Sequence, residues 1–174
     1  MAEQFLTLMA DLDESSQTRM GLWREQLQQA GLIGKQTPGL PFHISLAVFS
    51  PDKEKDAVCE MQRLAGEFSA TPVSLSHIGV FAGGKVLFAA PDMNTPDLLA
   101  LRKAIRLETA ETYPWTPHAT ILIDEPEAIC GALPVLLDSF QPFEGKITRL
   151  HLCAFWPTRE IMTVDLGQGK KKTP

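Results

Sequence analysis

Cysteine is scarce in this sequence, which excludes the small disulfide-rich folds. Only three of the 174 residues are cysteine. Cys59, Cys130 and Cys153 are odd in number, widely spaced and set among apolar residues. This pattern predicts reduced thiols in the core instead of a disulfide framework or a zinc site.

An excess of positive charge is also missing. The chain has 16 Lys and Arg residues against 21 Asp and Glu, a formal net charge of -5. Proteins that bind long nucleic acid without sequence preference rely on a strong basic field, so no partner of the long-duplex kind is expected. A small or terminal substrate fits this charge better.

No long hydrophobic run is present either. The segment MAEQFLTLMADLDE at residues 1–14 has no positive charge before its apolar stretch, which is short and soon becomes acidic. It therefore predicts neither a signal peptide nor a membrane span, and a cytoplasmic location is expected.

What remains is the composition of an ordinary globular protein, 44% hydrophobic and 21% charged. We expect one domain over residues 1–174, because this length can bury one core. Helical spacing or alternating apolar residues predict the following elements: strands at 5–12, 41–50, 73–81, 85–90, 117–124, 147–155 and 160–166, and helices at 15–30, 53–68, 96–110 and 127–140. The AGG run at 82–84 predicts a tight hairpin, and residues 169–174 are expected to form a solvated tail.

Two of these strands begin with the same unusual pattern. PFHISLAVFS at 41–50 has a histidine and a serine two residues apart, and PHATILID at 117–124 repeats the pattern with His118 and Thr120. Burying an imidazole or a hydroxyl without a partner costs about 1 to 3 kcal/mol. A strand that only packed would carry apolar side chains there, so the pattern indicates a function.

The surroundings of the two motifs repeat as well. Pro51 and Pro126 each follow their histidine by eight residues, and a later strand carries His77 in one copy and His151 in the other. The chain therefore reads as two strand-helix-strand-helix-strand units fused head to tail, and such a duplication predicts two similar lobes that face one cleft. The motif-bearing repeats span about 40–90 and 115–167.

Strand geometry places each motif pair on one face. Side chains two residues apart in a strand lie on the same side, about 6 to 7 Å apart. His43 and Ser45 therefore share a face, as do His118 and Thr120, and the intervening residues are apolar. If the two lobes face each other, two imidazoles and two hydroxyls converge in the cleft.

This set of side chains suits displacement at phosphorus. The reaction needs a base, an acid and hydrogen-bond donors to the charged oxygens. A serine nucleophile is less favoured, because Ser45 points parallel to its histidine. A metal site is less favoured still, because Asp124 lies six residues from His118, about 20 Å along an extended strand.

HISL at 43–46 and HATI at 118–121 resemble the paired H-x-[ST]-hydrophobic motifs of the two-histidine phosphoesterase superfamily, which includes the 2'-5' RNA ligase and cyclic phosphodiesterase families. The resemblance implies an α+β, bilobal, duplicated fold in which two antiparallel sheets face a central cleft and helices pack outside. It also implies a metal-free, cofactor-free hydrolase that acts on 2',3'-cyclic phosphates or 2'-5' linkages of a nucleotide or RNA terminus. It also implies that His43 and His118 are the acid-base pair, and that Ser45 and Thr120 bind the phosphate.

The sequence departs from the family pattern at two points. Serine stands at position 45, where threonine is common, and this change is chemically mild. The run ILIDEP that follows the second motif lacks the arginine that the bacterial RNA-ligase branch often has.

Other substrate contacts are less specific. Phe42, Tyr113 and Trp115 adjoin the motifs and are candidates either to stack on a base or to pack at the rim. The cations Lys35, Lys85 and Arg159 lie in predicted loops and either contact phosphate or are only solvated.

One alternative concerns the choice of histidine pair, and another concerns the function itself. His77 and His151 share strand faces with apolar residues, so we expect them to pack in the core or the cleft wall more than to catalyse. The rival function is a nucleotide- or RNA-binding module on the same fold without turnover.

Overall fold

Seven antiparallel strands and four α-helices form the fold in the computed structural model, which describes residues 4–81, 83, 85–92 and 94–167. The strands are β1 (Phe5–Leu12), β2 (His43–Phe49), β3 (Thr71–Phe81), β4 (Val86–Pro91), β5 (Ala119–Ile123), β6 (Phe143–Phe155) and β7 (Arg159–Asp165). The helices are α1 (Glu14–Gln29), α2 (Glu54–Glu67), α3 (Pro96–Lys103) and α4 (Pro126–Leu137). The α+β class is therefore confirmed.

The strands form one sheet in the order β1-β2-β5-β4-β3-β6-β7, and β1 also pairs with β6. The prediction of two separate sheets is wrong at this point. Strand β6 has 13 residues, enough to pair with β3 through its first part and with β1 through the rest. On the other side, the pair Ile44–Ala119 joins β2 to β5.

The order of elements along the chain is strand, helix, strand, helix, strand, repeated once and followed by β7. The first unit runs from β1 to β3 and the second from β4 to β6. The predicted bilobal duplication, and its bounds of about 40–90 and 115–167, stay predictions.

Packing against the sheet explains how the helices are held. Helix α1 begins after Asp13, whose carboxylate accepts a hydrogen bond from the Ser16 backbone N–H at 3.0 Å. Its buried side chains Met20, Trp23 and Leu27 recur at helical spacing, and the Trp23 ring stacks on Phe140 with centroids 4.9 Å apart. This apolar stripe fixes α1 beside the sheet.

Helix α3 is shorter than the predicted 96–110, because it ends at Lys103. The chain beyond it is held by tertiary hydrogen bonds. The Arg106 N–H donates to Glu60 Oε1 at 2.5 Å, and the Ala110 N–H donates to the Val48 carbonyl at 2.8 Å. These bonds compete with the helix for the backbone groups of this segment.

The burial of the three cysteines contradicts part of the cysteine prediction. Cys153 is buried, but Cys59 and Cys130 are exposed, so the core-thiol prediction is wrong for those two, although all three are free. Both lie on helix positions that turn away from the sheet.

The predicted hairpin at 82–84 lies partly outside the described residues, and the predicted tail at 169–174 lies wholly outside them. No helix within the described ranges is long and apolar enough to cross a membrane.

Candidate active site

The two motifs meet at the one point where β2 and β5 pair. Ile44 lies opposite Ala119, and both side chains are fully buried. Because strand side chains alternate, the residues that flank this pair point to the other face of the sheet. These four residues are His43, Ser45, His118 and Thr120, and all are partly accessible.

The register also orders these four side chains. Continuing the Ile44–Ala119 pairing by one residue places His43 opposite Thr120 and Ser45 opposite His118. The histidines are then diagonal neighbours, a relation that spans about 7 to 8 Å between strands. This separation leaves room for one phosphate group between the imidazoles.

Both histidines make the same hydrogen bond. His43 Nδ1 lies 2.7 Å from the Pro41 carbonyl oxygen, and His118 Nδ1 lies 2.8 Å from the Thr116 carbonyl oxygen. Since a carbonyl can only accept, each Nδ1 carries the proton. Each Nε2 is then left to exchange a proton with a ligand.

Burial sets the charge of both imidazoles. It lowers the pKa of His43 and of His118 below the usual value of 6.5, while the carbonyl that each Nδ1 contacts acts in the opposite direction. For His43, the nearby Asp11 carboxylate also raises the pKa, and the charges of His151 and His118 lower it. Both rings therefore favour the neutral form in the absence of ligand.

The hydroxyls of Ser45 and Thr120 are not used by the fold. Neither side chain hydrogen-bonds to another residue within the described ranges, and both line a cavity of about 230 Å³. His43 lines the same cavity, whereas His118 is not among its lining residues. Two unoccupied hydroxyl donors at a cavity beside an imidazole can bind a phosphate oxygen.

The surroundings of His43 are polar. Asp11 of β1 pairs in register with His43, and this carboxylate is 5% exposed. His151 Nδ1 lies 3.5 Å from Asp11 Oδ2, and its Nε2 lies 3.3 Å from Glu160 Oε2. The Asp11 carboxylate, followed by the hydrogen bond with Cys153, raises the pKa of His151 to about 10, so His151 is charged at neutral pH.

The surroundings of His118 are aromatic. The rings of Phe81 and Phe88 lie 4.8 and 5.3 Å from its imidazole, measured between ring centroids. Gly79 makes room for this arrangement, since a Cβ there would lie 2.5 Å from the Phe88 ring. No carboxylate contributes to the pKa of His118.

The structure places only one of the three predicted aromatic residues at the cavity. Phe42 is buried and lines the cavity, whereas Tyr113 is 83% exposed and does not line it. Trp115 also lies outside the cavity lining, and its indole N–H donates to the Ser45 carbonyl at 2.8 Å. Trp115 therefore helps to hold β2.

The three predicted cations bind carboxylates instead of lining the cavity with the histidines. Lys35 and Lys85 both pair with Glu125, at 2.9 Å in the case of Lys35. Arg159 pairs with Glu54 at 2.6 Å and lines a second cavity of about 220 Å³. Their side chains are well exposed, which is usual for solvated loop cations.

The remaining histidines differ from each other. His151 is buried, as expected, but His77 is exposed on β3, so the expectation of a packed side chain is wrong for His77. A bulge in the pairing of β3 with β4 lies between Leu75 and His77 and interrupts the regular alternation on which that expectation rested.

Sequence reasoning missed several cavity residues. Arg24 of α1 lines the cavity and lies over the Phe42 ring, 4.1 Å from its centroid. At another part of the lining, the Phe5 ring stacks on the Phe155 ring. Trp156, the next residue along the chain, also lines the cavity. Arg24 directly follows Trp23, a member of the apolar stripe of α1, and no pattern in the sequence indicates that Arg24 faces the site.

Comparisons with known proteins concern the fold and the family of the chain. Among curated proteins, none matches the sequence significantly. E. coli LigT complexed with 3'-AMP matches in structure with a TM-score of 0.64 and 21% identity, covering 95% of this chain and 99% of that one. LigT complexed with NADP⁺ gives a TM-score of 0.62 and 23% identity, with coverage of 95% and 99%. A structure described as a phosphoesterase gives a TM-score of 0.56 and 21% identity, with coverage of 95% and 99%.

At these identities the structural likeness shows the fold alone. The sequence itself carries the family assignment, since the model of the 2'-5' RNA ligase superfamily matches residues 12–155, a range that includes both histidine motifs. The chain therefore belongs to the 2'-5' RNA ligase superfamily.

Proposed function

We propose that this protein is a metal-independent phosphoesterase that opens 2',3'-cyclic phosphates or 2'-5' phosphodiesters of a nucleotide or RNA terminus. The observation that carries the proposal is the matched pair of histidines. Each donates its Nδ1–H to a carbonyl two residues upstream, and each flanks the Ile44–Ala119 pair together with a free hydroxyl.

In this mechanism, one neutral imidazole accepts a proton from water through Nε2 as the water oxygen attacks phosphorus. The other imidazole, in its charged form, donates a proton to the leaving ribose oxygen as its bond to phosphorus breaks. The proton taken up and the proton released balance, so the pair ends with its roles exchanged. Ser45 and Thr120 donate hydrogen bonds to the remaining phosphate oxygens.

The protein's own groups can supply each of these roles without a metal ion. Within the described ranges, no group of three or more His, Cys, Asp or Glu side chains is arranged to hold one. Asp124, the nearest acidic residue along the second motif, contacts Lys35 at 3.4 Å. Imidazoles and hydroxyls are therefore the groups we expect to handle the charge.

The family membership and the nucleotide complexes of LigT support a nucleotide substrate. The test is turnover of the four nucleoside 2',3'-cyclic monophosphates and of a 2'-5'-linked dinucleotide in the presence of EDTA. We expect a nucleoside monophosphate as the product of the cyclic substrates, at a rate unaffected by EDTA. Activity that requires added divalent ion contradicts the mechanism.

A binding module on the same fold is the other outcome of this test. If folded protein binds a nucleoside 2'- or 3'-monophosphate but converts none of these substrates, the binding function replaces the proposed one. The variant His77→Ala is the matched control, because His77 is exposed and does not line the cavity.

A further inference from the structure

Arg24 brings a positive charge to the cavity that holds His43. Within the described residues, it is the one Lys or Arg side chain among those that line this cavity, and no carboxylate lines it. A cavity that contains one guanidinium and no acidic group favours an anionic ligand.

The fold gives this guanidinium no counter-charge. Four other arginines pair with carboxylates at 2.5 to 2.8 Å, namely Arg63, Arg102, Arg149 and Arg159. Arg24 forms no ion pair with any residue in the described ranges, and its Nε is buried without a hydrogen-bond partner. Burial lowers the pKa of Arg24, which means that its charge is poorly compensated in the ligand-free protein.

The position of Arg24 is nevertheless fixed. Gln17 lies two helical turns earlier on the same side of α1 and bonds both backbone groups of Phe42. The Phe42 N–H donates to Gln17 Oε1 at 2.8 Å, and Gln17 Nε2 donates to the Phe42 carbonyl at 2.7 Å. These bonds tie α1 to the start of β2. The guanidinium of Arg24 lies over the Phe42 ring, at 4.1 Å from its centroid, where cation–π attraction orients it.

The proposed ligands of the reacting phosphate do not include Arg24. They lie on the face of β2 and β5 that carries His43, Ser45 and Thr120. Arg24 instead rests on Phe42, the residue before His43, whose side chain belongs to the apolar core. A guanidinium beside this ring is displaced from the histidine face but opens into the same cavity.

We propose that Arg24 binds a second phosphate group of the substrate, so that the enzyme prefers a ribonucleotide end that carries a 5'-phosphate or 5'-phosphodiester over a nucleoside with a single phosphate. This inference rests on the proposed function, because it assumes that the 2'- or 3'-phosphate occupies the histidine site. Arg24 is then a specificity-determining residue that holds the substrate and takes no part in proton transfer.

Binding by the wild-type protein tests this proposal without turnover. Calorimetry with a nucleoside 3',5'-bisphosphate and with the matching 3'-monophosphate compares ligands that differ by one phosphate. We expect the bisphosphate to bind about 10- to 100-fold more tightly, the usual range for charge-assisted hydrogen bonds to one group. Equal affinity for the two ligands overturns the proposal even if no variant folds.

The variants assign the preference to Arg24. Arg24→Gln should remove most of the preference for the bisphosphate and leave the affinity for the monophosphate unchanged, while Arg24→Lys should retain part of it. Arg19→Gln is the matched control, since Arg19 is on the same helix, lies over Phe143 at 5.4 Å and does not line the cavity. It should leave both affinities unchanged.

The outcomes separate this proposal from the proposed function. A bisphosphate preference that depends on Arg24, in a protein without turnover, supports the anion site and contradicts the phosphoesterase. Turnover that Arg24→Gln reduces equally for cyclic substrates with and without a 5'-phosphate places Arg24 at the reacting phosphate and overturns the second-phosphate site.

Discussion

His43 and His118 have the same hydrogen bond but opposite surroundings. His43 lies beside the buried Asp11 carboxylate and the charged His151, whereas His118 packs against the rings of Phe81 and Phe88. The common bond fixes which nitrogen faces the ligand in both cases. The difference teaches that a repeated motif can supply equivalent geometry while each copy has its own electrostatics.

This contrast matters because the proposed reaction needs unequal histidines. One must be neutral and the other charged in the same complex. Asp11 and His151 act on His43 and are not among the causes that shift the pKa of His118. The surroundings therefore provide a physical means of assigning the two histidines different protonation states.

The largest expected effect is on turnover. Replacing His43 or His118 with Ala should lower kcat/KM for a 2',3'-cyclic nucleotide by about 10² to 10⁴, the range for loss of a positioned acid or base. The double variant should lose less than the product of the two single losses, because the histidines act together. Steady-state kinetics on all three variants gives the comparison.

The control for these variants is His77→Ala, which should leave kcat/KM unchanged because His77 is exposed. If His77→Ala costs as much as His43→Ala in a protein that remains folded, the wrong histidine pair has been identified.

The second effect is on stability and concerns only the polar surroundings of His43. Asp11→Asn removes the buried carboxylate beside the charged His151 and leaves it only the exposed Glu160, so it should lower the free energy of unfolding at pH 7 by about 3 to 5 kcal/mol. Urea unfolding measures this loss. Asp165→Asn, in the exposed pair of Asp165 with Arg149, is the matched control and should cost less than about 1 kcal/mol.

The pH dependence of this stability has a definite sign. The folded-state pKa of His151 is raised to about 10, so its contribution is fully present below about pH 6.5 and is lost as the pH rises through 10. The difference between the wild type and Asp11→Asn should therefore shrink from pH 7 to pH 10. A constant difference contradicts a charged His151–Asp11 pair.

A smaller effect is expected at the hydroxyls, where the two copies should behave alike. Ser45→Ala and Thr120→Ala should each raise the activation free energy by about 1.5 to 3 kcal/mol, the value of one hydrogen bond to a charged group. Neither should change stability much, since neither hydroxyl bonds to the described residues. Kinetics and thermal unfolding of both variants check the two parts, and a loss confined to one copy breaks the equivalence.

Local patterns made much of this fold and site predictable. The alternation around Ile44 and Ala119 predicted the shared face of His43, Ser45, His118 and Thr120, because strand geometry depends on near neighbours only. The single sheet was not predictable, since it depends on β6 pairing with both β1 and β3 across long separations in sequence.

Long-range packing also explains the site residues that were missed. Arg24 reaches the cavity because Gln17 ties α1 to Phe42, a contact between residues 25 apart in sequence. Asp11 meets His43 and His151 only when β1 lies between β2 and β6. Conversely, Lys35 and Lys85 were candidate phosphate contacts by charge alone, and both form ion pairs with Glu125 in the folded chain.

The most direct test of the two-histidine account is the pH dependence of kcat/KM for a 2',3'-cyclic nucleotide. Since one histidine must be neutral and the other charged, we expect a bell-shaped profile, and since burial lowers the pKa of both, its maximum should lie below about pH 6.5. Asp11→Asn should sharpen the comparison by moving only the limb that His43 controls to lower pH. A wild-type profile with a single limb, or one that is flat from pH 5 to 8, contradicts the account.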